Sequence, residues 1–243
     1  MDQHERLALA AREPGQGRGD AAAQRRVAGA VRASILDLLR HGGIAAGAFP
    51  APAPVPPGLV QEDAVEPGGH AGVAAKARQR AVGPDDPDSN YRMVRESMLD
   101  VLDNLGVTTY RIPAEYPPEE ASSRYETLLR SLFDGTPVFD LVLLGLGADA
   151  HTASLFPGTT AIHEEQAWVL AHYIESVAAW RITVTPPLLN NARVVAFIVS
   201  GESKSAAVDA VLHGGRAVDI YPAQIIQPVR GDLRWLLDKD AAK

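Results

Sequence analysis

The residues best suited to chemistry are gathered in one stretch, Gly145-Leu-Gly147-Ala-Asp149-Ala-His151-Thr-Ala-Ser154-Leu-Phe-Pro-Gly158. Histidine is the side chain best matched to proton transfer near neutral pH, and a carboxylate beside it fixes its tautomer and raises its basicity. His151 follows Asp149 by two residues, close enough for such a pair. Glycines at Gly145 and Gly147 let the backbone approach a ligand and aim N–H groups at it. The same residues would also make an ordinary glycine-rich turn, capped by Asp149 and carrying an incidental His151; a lone G-x-G does not separate the two readings. Two cations add to the set. Lys204 lies in Ser200-Gly-Glu-Ser-Lys204, a loop that opens a helix and so suits an anion, although a solvated lysine on an amphipathic helix fits equally. Arg181 follows Trp180 and has the fork geometry for phosphate or carboxylate; a solvated edge arginine is the alternative. His41, His70, His163, His172 and His213 are scattered without ligand spacing, so no metal is expected. Neither a G-x-S-x-G elbow nor a Walker loop occurs.

The elements around these residues follow from apolar periodicity. Phe139–Leu144 is a continuous apolar run, the pattern of a strand buried on both faces, and it delivers its C-terminal end to the glycine-rich loop. Ligands bind at that edge of open α/β sheets. Trp168–Ile174, Trp180–Thr185 and Arg193–Ser200 read as further strands, and Ser203–Leu212 as a helix. Asp88 or Ser89 caps a helix carrying Val94, Met98, Val101, Leu102 and Leu105, which ends near Gly106. Pro117-Pro-Glu-Glu120 opens another, with its stripe on Ala121, Tyr125, Leu128, Leu129 and Leu132. Strands alternating with helices imply an α/β fold, an open and mostly parallel sheet flanked by helices.

The first third is different. Val27, Val31, Ile35 and Leu38 suggest one helix over 20–40, which Gly42-Gly43 would stop. From His41 to Pro84 the chain is rich in Gly and Pro, and Phe49–Gly58 reads as polyproline-like. Of the chain's aromatics only Phe49 falls before Pro84, so this segment has little to bury and is expected to be the least ordered. The 243 residues suffice for a single domain with a sizeable core, and 46% apolar with 22% charged residues is ordinary for a globular protein. Absence of cysteine excludes thiol nucleophiles, disulfides and thiolate metal sites. A net charge of −7 argues against a nucleic-acid partner. With no apolar run of membrane-spanning length and no secretory leader, a cytoplasmic protein without a membrane partner is expected.

At Gly145–Gly158 the sequence resembles the 6-phosphogluconolactonase family, whose loop runs roughly G-x-G-x-D-G-H-x-A-S-L-F-P-G. Pro84–Met93 is similar to its P-x-x-x-x-S-N-Y segment. Trp180–Asn190 is similar to its W-R-x-T segment with a later Asn, Ser200–Lys204 to its S/T-G-x-x-K loop, and Pro222-Ala-Gln224 and Trp235–Asp238 to its C-terminal end. The likeness covers about Arg80–Lys243. It implies a Rossmann-like sugar-phosphate isomerase/lactonase fold and hydrolysis of 6-phosphoglucono-1,5-lactone in the oxidative pentose phosphate pathway, by a monomer without cofactor. His151 would be the general base and Asp149 its orienting partner. Gly147 and its neighbours would offer N–H groups to the oxyanion. Lys204 and Arg181 would bind phosphate or polar oxygens, with Asn90 at the rim.

Residues 1–80 depart from the family. Members carry an S-G-G-S/T-x-P loop, where this chain has Arg40-His-Gly-Gly-Ile-Ala45, and a strand ending in D-E-R, where it has Arg78-Gln79-Arg80. A Gly/Pro/Ala/Arg-rich stretch of normal length is what GC-rich coding sequence yields out of frame, so a frameshift is the expectation and divergence under a new function the alternative. Loss of both loops would weaken phosphate binding and leave a weak or inactive lactonase or a sugar-phosphate binder. Ala150 stands where the family has Gly, which strains the loop if φ is positive there. A glucosamine-6-phosphate deaminase-like isomerase shares the D-G-H loop but places a glutamate five residues after the histidine, where this chain has Phe156.

Overall fold

Parallel pairing in this chain is built around its most apolar strand, Val194–Val199. Val142–Leu144 (β2), Val194–Val199 (β5) and Asp232–Leu237 (β6) form a parallel sheet in the order β2-β5-β6. The structure is a computed structural model that describes residues 78–99, 109–133 and 135–243. The helix expected over 20–40, the Gly/Pro-rich stretch up to Ala77, and the far end of the helix expected to reach Gly106 lie outside the described residues. In β5 the run Val-Val-Ala-Phe-Ile-Val is buried almost throughout, with Val195, Ala196 and Phe197 fully enclosed. Phe197 stacks on Trp235 of β6, ring centroids 4.1 Å apart. Such a strand has no polar face because both its sides are covered.

The other three strands depart from expectation. Arg78–Arg80 (β1), Val169–Ile174 (β3) and Ala179–Val184 (β4) form an antiparallel sheet in the order β1-β4-β3. A parallel connection needs a crossover of a dozen residues or more. Between β3 and β4 the chain has only the turn Glu175–Val177 and Ala178, which adopts φ 45° to close the hairpin. The described residues thus hold the expected parallel sheet and, beside it, a second sheet that is antiparallel.

Helices tie the two sheets together. Asn90–Val94 (α1) starts at Ser89, whose Oγ accepts from the Arg92 N–H at 3.2 Å, and runs on into a wider π-helical turn, Arg95–Leu99. Pro118–Leu132 (α2) opens as its proline and acids dictate, with Glu119 and Glu120 in the positive first turn. Its Glu126 carboxylate accepts from the N–H groups of Trp168 and Val169 at 3.0 and 3.1 Å, and Arg130 lies 4.0 Å above the Trp168 ring. These contacts seat α2 on the start of β3. Pro186–Leu189 (α3) follows β4, and Ser205–Leu212 (α4) follows β5 after one 3-10 turn. Among the described residues no helix is long and apolar enough to cross a membrane.

Candidate active site

β2 ends at Leu144 beside Phe197 of β5, so the loops after both strands leave the same edge of the parallel sheet. The first of these loops, Gly145–Gly158, folds tightly upon itself. Gly147 N–H donates to the His151 carbonyl at 2.8 Å, Ala150 N–H donates to the Gly147 carbonyl at 3.0 Å, and the Thr152 hydroxyl donates to the Gly145 carbonyl at 2.9 Å. Outside help comes from Ala223 N–H, which donates to the Ala150 carbonyl at 3.0 Å. The turn so formed brings Asp149 Oδ1 to 2.6 Å from His151 Nδ1, and the same oxygen accepts from the His151 main-chain N–H at 3.2 Å.

The geometry fixes the imidazole in three ways. Asp149 takes Nδ1–H, so Nε2 is the basic nitrogen. Phe156 stacks on the ring, centroids 4.0 Å apart and planes 16° from parallel, and is itself buried. Gly147 supplies room: a β-carbon there would overlap His151 Nδ1 and Asp149 Oδ1. Burial alone would raise the Asp149 carboxyl, but the charge and hydrogen bonds of His151 outweigh it and hold the carboxyl below its ordinary range. Asp149 is therefore ionised at neutral pH and positioned to stabilise an imidazolium.

Gly147 serves differently from expectation. Its N–H is committed to the His151 carbonyl, so its contribution to the cradle is space instead of a donor aimed at an oxyanion. Ala150 does adopt φ 60°, and Ala153 adopts φ 48°, so the loop carries two alanines in left-handed backbone.

The loop rests on the antiparallel sheet. Ser154 N–H donates to Thr183 Oγ1 of β4 at 3.1 Å. Arg181 lies two residues from Thr183 on the same face of that strand, and its cross-strand partners are His172 on one side and Arg80 on the other. Arg181 is thus brought to the face that carries the loop. Lys204 sits in the 3-10 turn after β5, on the loop neighbouring the Asp149–His151 turn. Its loop is set by Gly201, φ 94°, whose N–H donates to both carboxylate oxygens of Asp238 at 3.1 and 3.0 Å. Asn90 is buried at the first position of α1 and does not stand at an open rim.

Three contributors escaped the sequence reading. Phe156 was marked only by what it is not, although an aromatic five residues after a candidate base is a readable signal. Asp238 lies 37 residues from Gly201, and no local pattern joins them. Arg78–Arg80, read as a lost segment, is strand β1, and Arg80 closes it. Its guanidinium donates to the Asp88 carbonyl at 2.7 Å.

A parallel strand feeding a glycine-bounded Asp–His turn, with cations on the flanking loop and sheet, places the chain in a class. It belongs to the glucosamine-6-phosphate isomerase/6-phosphogluconolactonase family, whose pattern matches residues 77–235. Among its relatives it is 40% identical over 170 residues to a 6-phosphogluconolactonase of Synechocystis sp., covering 68% of this chain and 70% of that one. It is 37% identical to the human 6-phosphogluconolactonase, over 68% of this chain and 65% of the human one. The solved 6-phosphogluconolactonase of Trypanosoma brucei superposes with a TM-score of 0.55 at 32% identity, over 68% of this chain and 71% of that one. That of Leishmania guyanensis shares the fold over 90% of this chain and 95% of its own, with a TM-score of 0.64 at 21% identity.

Proposed function

We propose that this chain hydrolyses 6-phospho-D-glucono-1,5-lactone to 6-phospho-D-gluconate. The observation that carries the reading is the 2.6 Å Asp149–His151 pair, held by Gly147 and Phe156 at the C-terminal edge of β2. His151 Nε2 takes a proton from water as the water oxygen attacks the lactone carbonyl. The tetrahedral oxyanion collapses, the ring C–O bond breaks, and the imidazolium returns the proton to the leaving alkoxide. Asp149 keeps the ring oriented and offsets its charge during the cycle. Arg181 and Lys204 bind the phosphate or polar oxygens of the sugar, and Arg80 joins them from β1. The family likeness supports a place in the oxidative pentose phosphate pathway, in the cytoplasm, as a monomer.

The decisive assay is acid release from freshly generated lactone by the purified full chain, with the spontaneous opening rate subtracted. Catalysed release with no ammonia from glucosamine 6-phosphate supports the lactonase reading; the reverse result would move the chain to the deaminase branch of the family. Arg40–Ala45 offers no hydroxyl where the family has its S-G-G loop. Calorimetry with 6-phosphogluconate therefore distinguishes a catalyst from a weak binder. Binding without turnover would leave a sugar-phosphate binder.

A further inference from the structure

The Asp149–His151 turn is gripped by a segment far along the chain. The Ala150 carbonyl, between the two members of the dyad, accepts from Ala223 N–H at 3.0 Å, and Gly158 N–H, at the end of the loop, donates to the Asp219 carbonyl at 2.9 Å. Both partners lie in one stretch that runs from Ala217 into the 3-10 turn Pro222–Ile225. A single 3-10 turn has few and poorly aligned main-chain bonds, so it is not rigid by itself. What fixes this one is the side chain of Gln224, buried directly after Ala223.

The Gln224 carboxamide makes three bonds. Nε2 donates to the Ala210 carbonyl at 3.2 Å and to the Gly215 carbonyl at 3.1 Å, and Oε1 accepts from Ala217 N–H at 2.7 Å. Two carbonyls and one N–H leave a single way round for the amide, with its nitrogen toward the carbonyls. Ala210 lies in the last turn of α4, where carbonyls lack a partner within the helix. The Ala217 carbonyl in turn accepts from Ile220 and Tyr221 N–H at 2.9 and 2.8 Å, so the hold on Ala217 extends to the residues around Asp219. On the far side of the turn Asn190, which follows α3, donates from Nδ2 to the Ile225 carbonyl at 2.9 Å and accepts at Oδ1 from Gln227 N–H at 2.7 Å. Ala223 therefore sits between two side-chain amides that fix its turn to α4 and to α3. Its N–H is aimed at Ala150, which holds φ 60°, a conformation that persists only where its surroundings over-determine it.

We propose that Gln224 is a positioning residue for the reaction: its carboxamide fixes the Ala223 N–H, and through the Ala223–Ala150 bond it sets the Asp149–His151 turn against the substrate. The proposal rests on the lactonase reading for its kinetic arm only. The cations are held independently of Gln224. Arg181 belongs to β4, and the loop of Lys204 is gripped by Gly201 N–H on the Asp238 carboxylate. Without the carboxamide the base moves relative to a lactone still bound, so turnover suffers and substrate affinity does not.

Two variants and one measurement on the unaltered chain test this. Gln224→Met keeps the length and packing of the side chain and removes all three bonds. Gln224→Glu keeps the acceptor for Ala217 and removes both donors. Each is assayed well below its thermal midpoint, so that loss of folded protein does not enter the rate. Expected is a kcat about 5- to 20-fold lower in both, with KM within twofold. Ala223 amide exchange should quicken in both, while that of Gly201, held by Asp238, should not. Wild-type kcat in Gln224→Met, a loss carried by KM instead of kcat, or unchanged Ala223 exchange would overturn the proposal. In the wild-type protein the Gln224 carboxamide protons and the Ala223 N–H should exchange slowly at pH 7. Rapid exchange at either place overturns the proposal even if neither variant folds. If the wild-type chain hydrolyses no lactone, the functional reading falls, and the exchange measurements still decide whether Gln224 holds the turn.

Discussion

Gly147→Ala separates the geometry of the dyad from the stability of the fold. Gly147 is not among the residues with positive φ, so its backbone accepts alanine without strain. What the added β-carbon meets is the His151 ring and the Asp149 carboxylate, both on side chains that can swing away. The loop's own hydrogen bonds, Gly147 N–H to His151 and Ala150 N–H to Gly147, use main-chain atoms that need not move. The fold should therefore keep its stability to within about 1 kcal/mol, since alanine also narrows the unfolded ensemble. The dyad cannot keep its 2.6 Å bond with a carbon between its members. A positioned base is worth roughly 10²–10⁴ in rate, and a misplacement of about 1 Å costs on the order of 10²-fold. The expected result is kcat/KM for the lactone down about 10²-fold, with a thermal midpoint close to wild type. A fully active Gly147→Ala enzyme would show that the Asp149–His151 bond is not needed for turnover. An unfolded one would show that the glycine serves the fold and not the site.

His151→Ala should lower lactone hydrolysis by about two to four orders of magnitude while leaving the chain folded; wild-type rates in this variant would remove His151 from the mechanism. Ala150→Gly relieves left-handed backbone worth about 1–2 kcal/mol but gives up a buried methyl and adds unfolded-state freedom of similar total size. Denaturant unfolding should find it within about 1 kcal/mol of wild type, and a larger loss would mean that the methyl's packing dominates. Burial first, and Arg181 with it, lower the His172 pKa in the folded protein, against the Ser154 main chain, which raises it. Arg181 pairs with His172 from β4, and Arg80 stands one strand further on β1. Above about pH 6.5 both folded and unfolded states are neutral here, so the contribution is complete; it fades as pH falls from there through the lowered folded value. Unfolding free energy measured from pH 7 to 5 should fall more steeply in wild type than in His172→Asn, and parallel curves would contradict this.

Legibility in the sequence followed burial. β5 and the end of β2 are unbroken apolar runs, so their existence and their delivery of loops to one edge could be read directly. Antiparallel pairing of β3 and β4 was also within reach, since the few residues between them leave no room for a crossover, but apolar runs alone carry no direction. β1 was hidden for a different reason. Arg-Gln-Arg has no hydrophobic member, and its central residue is buried through hydrogen bonds: Gln79 Nε2 donates to Ser89 Oγ at 3.0 Å, and Oε1 accepts from Tyr91 N–H at 3.2 Å. A strand stabilised by satisfied polar groups leaves no apolar period to detect. β6 escaped because Asp-Leu-Arg-Trp-Leu-Leu is only half buried and its strand character depends on β5 beside it.

Recovering Arg80 changes the expected energetics of the site. With both the S-G-G loop and the D-E-R arginine absent, two charge-assisted contacts would be lost. Each is worth about 1.5–3 kcal/mol, or roughly 10- to 150-fold in affinity. β1 pairs Arg80 directly with Arg181, and Arg181 pairs with His172, so one line of nitrogen-bearing side chains crosses the antiparallel sheet. An acidic chain thereby concentrates two guanidinium groups on the face that carries its Asp–His turn, with Lys204 on the neighbouring loop of the parallel sheet. Arg80 is partly exposed and its partner Asp88 more so, with the carboxylate 3.4 Å from the guanidinium, and an ion pair of that kind is weak enough to yield to a phosphate. On the proposed reading the sequence then lacks one contact, not two. That makes low turnover through weak binding a far less demanding consequence of the unusual first third than the loss of both segments would have been.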